Sequence, residues 1–308
     1  MTHPSPSALW ALVLAGGDGT RLQSLTQLIA GAPIPKQYCR LVGARSLLEE
    51  TLTRLSGLVP RTRTLAIVNR NHLALATPQL ATLPAGNLIV QPRNRDTGPG
   101  LLLPLLELAR RDPDATVAIF PSDHYLGNVV AFRAHVRRAA ELITAEPTKV
   151  VLLGTDPDWA DPGYGYIMPA APVAGSSEAF AVRAFCEKPS PMIAERIVRD
   201  GALWNCFVMV CRVDRLLALT RALRPRDVAR LAAVVGDAPA LAAAYADLPA
   251  WNFSTDLLSH LTPHLLVLRA AGLGWSDWGT VGAIERTLAS LGQTPPWREA
   301  TATLAATA

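Results

Sequence analysis

The run LWALVL at 9–14, passing at once into Gly16-Gly17-Asp18-Gly19-Thr20-Arg21-Leu22, constrains this chain most. Consecutive apolar residues without alternation predict a strand buried on both faces. Glycines straight after such a strand let backbone N–H groups approach phosphate oxygens, and Arg21 adds a fixed charge. The loop is not a P-loop, because no Gly-Lys-Ser/Thr follows. It is also not a dinucleotide fingerprint, because Leu22 stands where a third glycine is needed. A nicotinamide oxidoreductase is thereby disfavoured.

Short β-branched runs then alternate with amphipathic stretches. Strands are predicted at 64–68, 88–90, 116–120 and 150–153, with helices at 46–58, 71–80, 101–111 and 130–144. Ser46 and Glu49 have the spacing of a capping box. This βαβα rhythm predicts an α/β fold with a parallel sheet and helices on both faces. Beyond Gly154 the rhythm breaks. Shorter strands are predicted at 166–170 and 179–185, and helices at 191–200, 213–223 and 281–291. An Ala-rich helix is predicted at 229–246, interrupted near Pro239. One domain over 1–292 is expected, with a flexible tail over 293–308.

Half of the residues are hydrophobic and 18% are charged, which supports a large core and excludes wholesale disorder. The net charge is +4, with no runs of Lys or Arg, so a nucleic-acid grip is not expected and an anionic small substrate fits better. Lysine occurs only at Lys36, Lys149 and Lys188. Cys39, Cys186, Cys206 and Cys211 have no CxxC spacing, so reduced thiols in a cytoplasmic protein are expected. No apolar run reaches membrane-spanning length.

Three further segments carry chemistry. Lys36, in Pro35-Lys36-Gln37, follows a polar loop and offers a point charge suited to a migrating phosphoryl group. Asp123, in Phe120-Pro121-Ser122-Asp123-His124, ends a predicted strand, where open α/β sheets bind ligands. Asp277 lies between tryptophans in Gly274-Trp275-Ser276-Asp277-Trp278-Gly279. Each has a plain alternative as a solvated lysine, a helix cap or a loop cap. The sharper alternative makes Asp123 and Asp277 two hard oxygen ligands for Mg²⁺.

Together with Arg95-Asp96-Thr97-Gly98-Pro99, Gly163-Tyr164-Gly165-Tyr166-Ile167, Glu187-Lys188-Pro189 and Leu203-Trp204-Asn205, these segments stand in a specific order. The ordered set resembles the sugar-1-phosphate nucleotidyltransferases, most closely the mannose-1-phosphate guanylyltransferases, over about 9–291. The resemblance implies a Rossmann-like, GT-A-like fold: a mixed, mostly parallel sheet flanked by helices. It implies Mg²⁺-dependent transfer from an NTP, GTP favoured, to a hexose 1-phosphate, mannose 1-phosphate favoured, releasing pyrophosphate. It assigns Arg21, Lys36, Asp123 and Asp277 to catalysis, the two aspartates as metal ligands. Gly16, Gly17, Gly19, Thr20, Gln91, Thr97 and Gly98 would bind the nucleotide. Gly165, Glu187, Lys188 and Asn205 would bind the sugar phosphate. Two departures stand out: Phe207 occupies a place where the family carries glycine, and Gln91 replaces a frequent glutamate. The rivals are a non-catalytic sugar-nucleotide-binding regulator, or the same chemistry with dTTP or UTP and another sugar. A homodimer is compatible with the reading; neither nucleic acid nor membrane is expected as a partner.

Overall fold

The computed structural model of the chain describes residues 8–298. Strands β1 (Leu9–Ala15), β2 (Thr64–Asn69), β3 (Leu88–Gln91) and β4 (Thr116–Pro121) pair in parallel, in the order β3-β2-β1-β4. Side chains alternate across each strand, so the two faces collect different helices. Ala11, Val13, Ala66 and Val68 pack under helices α2 (Leu47–Leu55), α3 (Leu73–Gln79) and α5 (Val129–Ala145). Leu12, Leu65 and Ile67 pack under α4 (Thr97–Arg111) and α7 (Val213–Leu223). The result is an α/β fold with a mixed, mostly parallel sheet flanked by helices, as expected. The Ser46–Glu49 capping box is formed at the start of α2.

The second half elaborates this sheet. Strands β6 (Val150–Thr155), β7 (Gly165–Pro172), β8 (Ala179–Glu187), β9 (Leu203–Arg212) and β10 (Leu265–Arg269) continue it. β9 runs antiparallel between β4 and β6, and its first residues also pair with β7. The pairings β9–β6, β6–β10, β10–β8, β8–β7 and β7–β9 close a circuit. On one edge β9 therefore leaves β4 and joins β7, and the sheet splits between them. Gly165, Glu187 and Asn205 meet beside that split. A two-stranded ribbon of β5 (Tyr125–Leu126) and β11 (Trp275–Ser276) ties the segment after Asp123 to the segment before Asp277.

Four expectations need correction. The stretch after Arg21 is not a polar loop throughout: α1 (Gln23–Ala30) forms there, because Leu25 is buried against Leu22, Leu41 and Trp278. The interruption expected near Pro239 falls at 233–237, between α8 (Pro225–Ala232), which starts before 229, and α9 (Ala238–Ala246), whose first turn holds Pro239. β9 and β10 are strands in stretches where no element is expected. The tail does not begin at 293, since Trp297 is buried in the cluster of Leu22, Trp278 and Ile284; residues 299–308 lie outside the described residues. The remaining helices are α6 (Pro191–Arg199), α10 (Phe253–Asp256) and α11 (Val281–Ser290). Among the described residues no helix is long and apolar enough to cross a membrane.

Candidate active site

In the order β3-β2-β1-β4 the chain reverses direction of travel between β1 and β4, and ligands of open α/β sheets bind beyond the strand ends at that point. Residues 16–19 leave β1 there, and Asp123 follows β4. A cavity of about 630 Å³ opens between them, within the range of small-ligand sites. Gly19 has φ +60°, and a Cβ on it would press on the backbone of Pro35 and Lys36. The loop is held by Gln37, whose Nε2 donates to the carbonyls of Ala15 (3.2 Å) and Gly17 (2.7 Å). Its backbone thereby stays turned to the cavity, with the exposed Arg21 guanidinium beside it.

At the centre one ammonium ties the Asp123 carboxylate to the backbone of Asp277 and Trp278. Lys36 Nζ donates to the carbonyl oxygens of Asp277 (2.6 Å) and Trp278 (3.1 Å) and lies 3.3 Å from Asp123 Oδ2. An ammonium has three N–H groups, and here all three have acceptors. Burial, the largest single influence, pushes the Asp123 carboxyl up, but the Lys36 ammonium, joined by His124 and a backbone hydrogen bond, holds the group below its ordinary range. The Asp277 carboxylate accepts at Oδ1 from Tyr164 Oη (3.0 Å) and from the Gly279 amide (2.8 Å). Its Oδ2 faces Arg21 at 3.9 Å. Burial and the Asp277 charge raise the Tyr164 phenol, so it stays a donor. Trp275 Nε1 donates to His124 Nδ1 at 3.2 Å. That bond leaves the ring hydrogen on Nε2, 3.6 Å from Asp123 Oδ1. Burial lowers the His124 pKa, which keeps the ring neutral.

The far end of the cavity holds Gly165, Glu187, Lys188 and Asn205. A Cβ on Gly165 would stand 2.5 Å from Glu187 Oε2, so any larger residue would displace that carboxylate from its present position. Burial raises the Glu187 carboxyl, and Lys188, 3.7 Å away, opposes the rise. Beside the glycine loop, Gln91 is buried with Nε2 donating to the Gly16 carbonyl at 3.4 Å and Oε1 without a partner.

Backbone strain converges here. Among the described residues four non-glycines have positive φ: Asp96, Lys188, Phe207 and Trp278. Asp96, Lys188 and Phe207 line the cavity, and Trp278 supplies a carbonyl to Lys36. Such conformations cost about 1–3 kcal/mol each and gather where function demands them.

Twelve of the fifteen residues assigned from sequence line the cavity; Thr20, Lys36 and Gly98 do not. Thr20 lies in the turn after the glycine loop. Lys36 is buried beneath Asp123 and Asp277. Gly98 packs under Trp251: a Cβ would land on the indole ring, and its amide donates to the Trp251 carbonyl at 3.0 Å. Sequence reasoning gave no role to Gln37, Tyr164, His124 or Trp275. Each stands inside a quoted motif, but its role depends on a partner distant in sequence.

A glycine loop and two carboxylates thus stand around one cavity at the edge of a Rossmann-like sheet. The chain belongs to the nucleotidyl transferase family, whose model matches residues 10–293. It is 34% identical over 226 residues to the mannose-1-phosphate guanylyltransferase of Escherichia coli strain K12, covering 71% of this chain and 46% of that protein. It is 33% identical over 217 residues to xanthan biosynthesis protein XanB of Xanthomonas campestris pv. campestris strain B100, covering 70% and 44%. The chain thus spans a little under half the length of these relatives. A solved structure from Thermus thermophilus, described as a mannose-1-phosphate geranyltransferase, matches with TM-score 0.80 and 31% identity over 91% of this chain and 78% of that one. A Bacillus anthracis structure, described as a putative glucose-1-phosphate thymidylyltransferase, shares the fold at TM-score 0.62 and 16% identity, over 92% of this chain and 94% of that one.

Proposed function

We propose that the chain joins an NTP, with GTP preferred, to a hexose 1-phosphate, with mannose 1-phosphate preferred, giving an NDP-sugar and pyrophosphate. The observation that carries this reading is the knot at Lys36, which gathers Asp123 and Asp277 beside the glycine loop. Two carboxylates on one cavity suit Mg²⁺, which takes a few hard oxygens from protein and the rest from water and phosphate. Bound there by Asp123 and Asp277, it would neutralise charge on the reacting phosphates.

The remaining chemistry belongs to side chains. Amides of residues 16–19 and Arg21 receive the nucleotide phosphates. Lys188 neutralises the phosphate of the sugar, while Glu187 and the amide of Asn205 bind its hydroxyls. The sugar phosphate oxygen is already anionic near neutral pH, so it attacks the α-phosphorus without a general base. Catalysis is then positioning and charge neutralisation.

Gln91 supports the base preference. The Gly16 carbonyl accepts from one N–H of its NH₂ group and orients the amide, so the unpartnered Oε1 is left to accept from a base. Guanine offers the N1–H and N2–H₂ donors side by side, whereas uracil and thymine set a donor beside an acceptor. The test is pyrophosphate release from GTP, UTP, dTTP and ATP with mannose, glucose and galactose 1-phosphates. GTP with mannose 1-phosphate should give the highest kcat/KM. Gln91→Glu should widen the preference for GTP by up to about tenfold, equivalent to about 1.4 kcal/mol. A strong wild-type preference for dTTP refutes the base reading.

A further inference from the structure

The strained residue in the middle of β9 has no part in the reaction as described. Between the pairs Leu152↔Met209 and Gly154↔Asn205, four steps along β9 match two along β6. Phe207 sits in this bulge with φ +54°. A β-bulge re-aims a side chain, and here the re-aimed chain is a half-buried phenyl ring lining the cavity. The ring leans edge-on against buried Phe253, with centroids 6.3 Å apart. Phe253 is fixed in turn, because its amide donates to Thr97 Oγ1 at 2.9 Å. The Phe207 amide donates to Asn205 Oδ1 at 3.0 Å, which leaves the Asn205 NH₂ group for a ligand.

The sugar end therefore has two kinds of wall. Glu187 and Asn205 offer an acceptor and a donor, and Phe207 offers aromatic carbon. A pyranose has the matching surfaces: hydroxyls around its edge and patches of C–H groups on its faces. Simple packing on Phe253 does not require left-handed backbone. Strain kept at a cavity-lining residue points to the ligand.

We propose that Phe207 is a specificity-determining residue that receives a C–H face of the pyranose ring, so that the cavity selects a hexose 1-phosphate without a charged substituent on that face. This rests on the sugar 1-phosphate reading above.

The test compares Phe207→Ala with Phe207→Gly. Both remove the ring, but only glycine relieves the backbone. Three quantities are measured: KM for GTP and for mannose 1-phosphate, calorimetric Kd for mannose 1-phosphate or glucose 1-phosphate, whichever the wild type binds more tightly, and stability in urea. Both variants should raise KM and Kd for the sugar phosphate by about tenfold or more, with KM for GTP changed by less than about twofold. Phe207→Gly should be the more stable of the two, by roughly threefold to tenfold in the unfolding constant, reversing the usual order of alanine over glycine. Wild-type sugar affinity in either variant overturns the proposal, as does an equal rise in KM for GTP. Equal stability of the two variants, or greater stability of Phe207→Ala, overturns the strain argument and makes the ring ordinary packing. A wild-type protein that releases no pyrophosphate from any substrate pair refutes the proposed reaction instead, and calorimetry then still decides on Phe207.

Discussion

Lys36→Met replaces the buried ammonium with an apolar chain of similar length. Three acceptors then lose their donor: the Asp277 and Trp278 carbonyls and Asp123 Oδ2. Hydrogen bonds to charged groups are worth about 1.5–3 kcal/mol each. The Asp123 side chain is 35% exposed, so its pairing is discounted for solvent screening. Methionine also escapes the cost of burying a charge. The two carbonyls dominate, and the net loss is about 3 kcal/mol, near the low end for a broken buried pair. For 308 residues that corresponds to a fall of about 5 °C in Tm. The loss should also depend on pH. Lys36 holds the Asp123 pKa down, so the stability Asp123 contributes is present above its unfolded value near 4 and fades as pH falls through the lower folded value. The difference between wild type and variant should therefore narrow below about pH 4. Thermal and urea unfolding across neutral to acidic pH measure this, and pyrophosphate release should show kcat reduced more than either KM. A variant as stable as wild type at neutral pH refutes the view that this ammonium clasps the two aspartate segments.

Other expectations follow from the same geometry. Asp277→Asn preserves an acceptor for Tyr164 and should fold normally, yet lose about 10²-fold or more in kcat; on the proposal that both aspartates hold one ion, adding Asp123→Asn should cost little more. Gly98→Ala should displace the Trp251 ring and lower stability by about 1–3 kcal/mol, while the KM for NTP stays within about twofold; an NTP-binding defect without loss of stability contradicts its placement. Glu187 has a raised pKa, so its favourable contribution is present at low pH and is lost as pH rises through the folded value. Glu187→Gln should therefore gain Tm relative to wild type at neutral pH, with the gain shrinking toward about pH 4, while its KM for sugar phosphate rises.

Local rules carried the first half of the fold. An apolar run entering glycines made β1 and its loop legible, and Ser46 with Glu49 marked the start of α2. The acidic strand end at Asp123 was visible because β4 is a continuous apolar run. These features depend on neighbours within a few residues, which a linear pattern records.

What escaped depended on contacts between distant segments. α1 has Gln, Ser and Thr among its residues, and its helix is secured by burial of Leu25 beside Trp278 and Ile284 from the other end of the chain. β9 is interrupted by a bulge, and its place comes from pairing with β4, β6 and β7. Gly98 looked like part of a nucleotide loop until Trp251 closed over it. Lys36 looked like a free cation; its donors are saturated only when Asp277 and Trp278, more than two hundred residues away, join Asp123 around it. The sequence by itself determined which charged and polar groups this protein carries and where elements such as β1 and α2 begin. The tertiary structure decided which of those groups face the cavity, which hold one another in place, and where backbone strain is kept. Hydrogen-bond satisfaction and close packing are properties of neighbours in space, and for these residues the decisive neighbours are far apart along the chain.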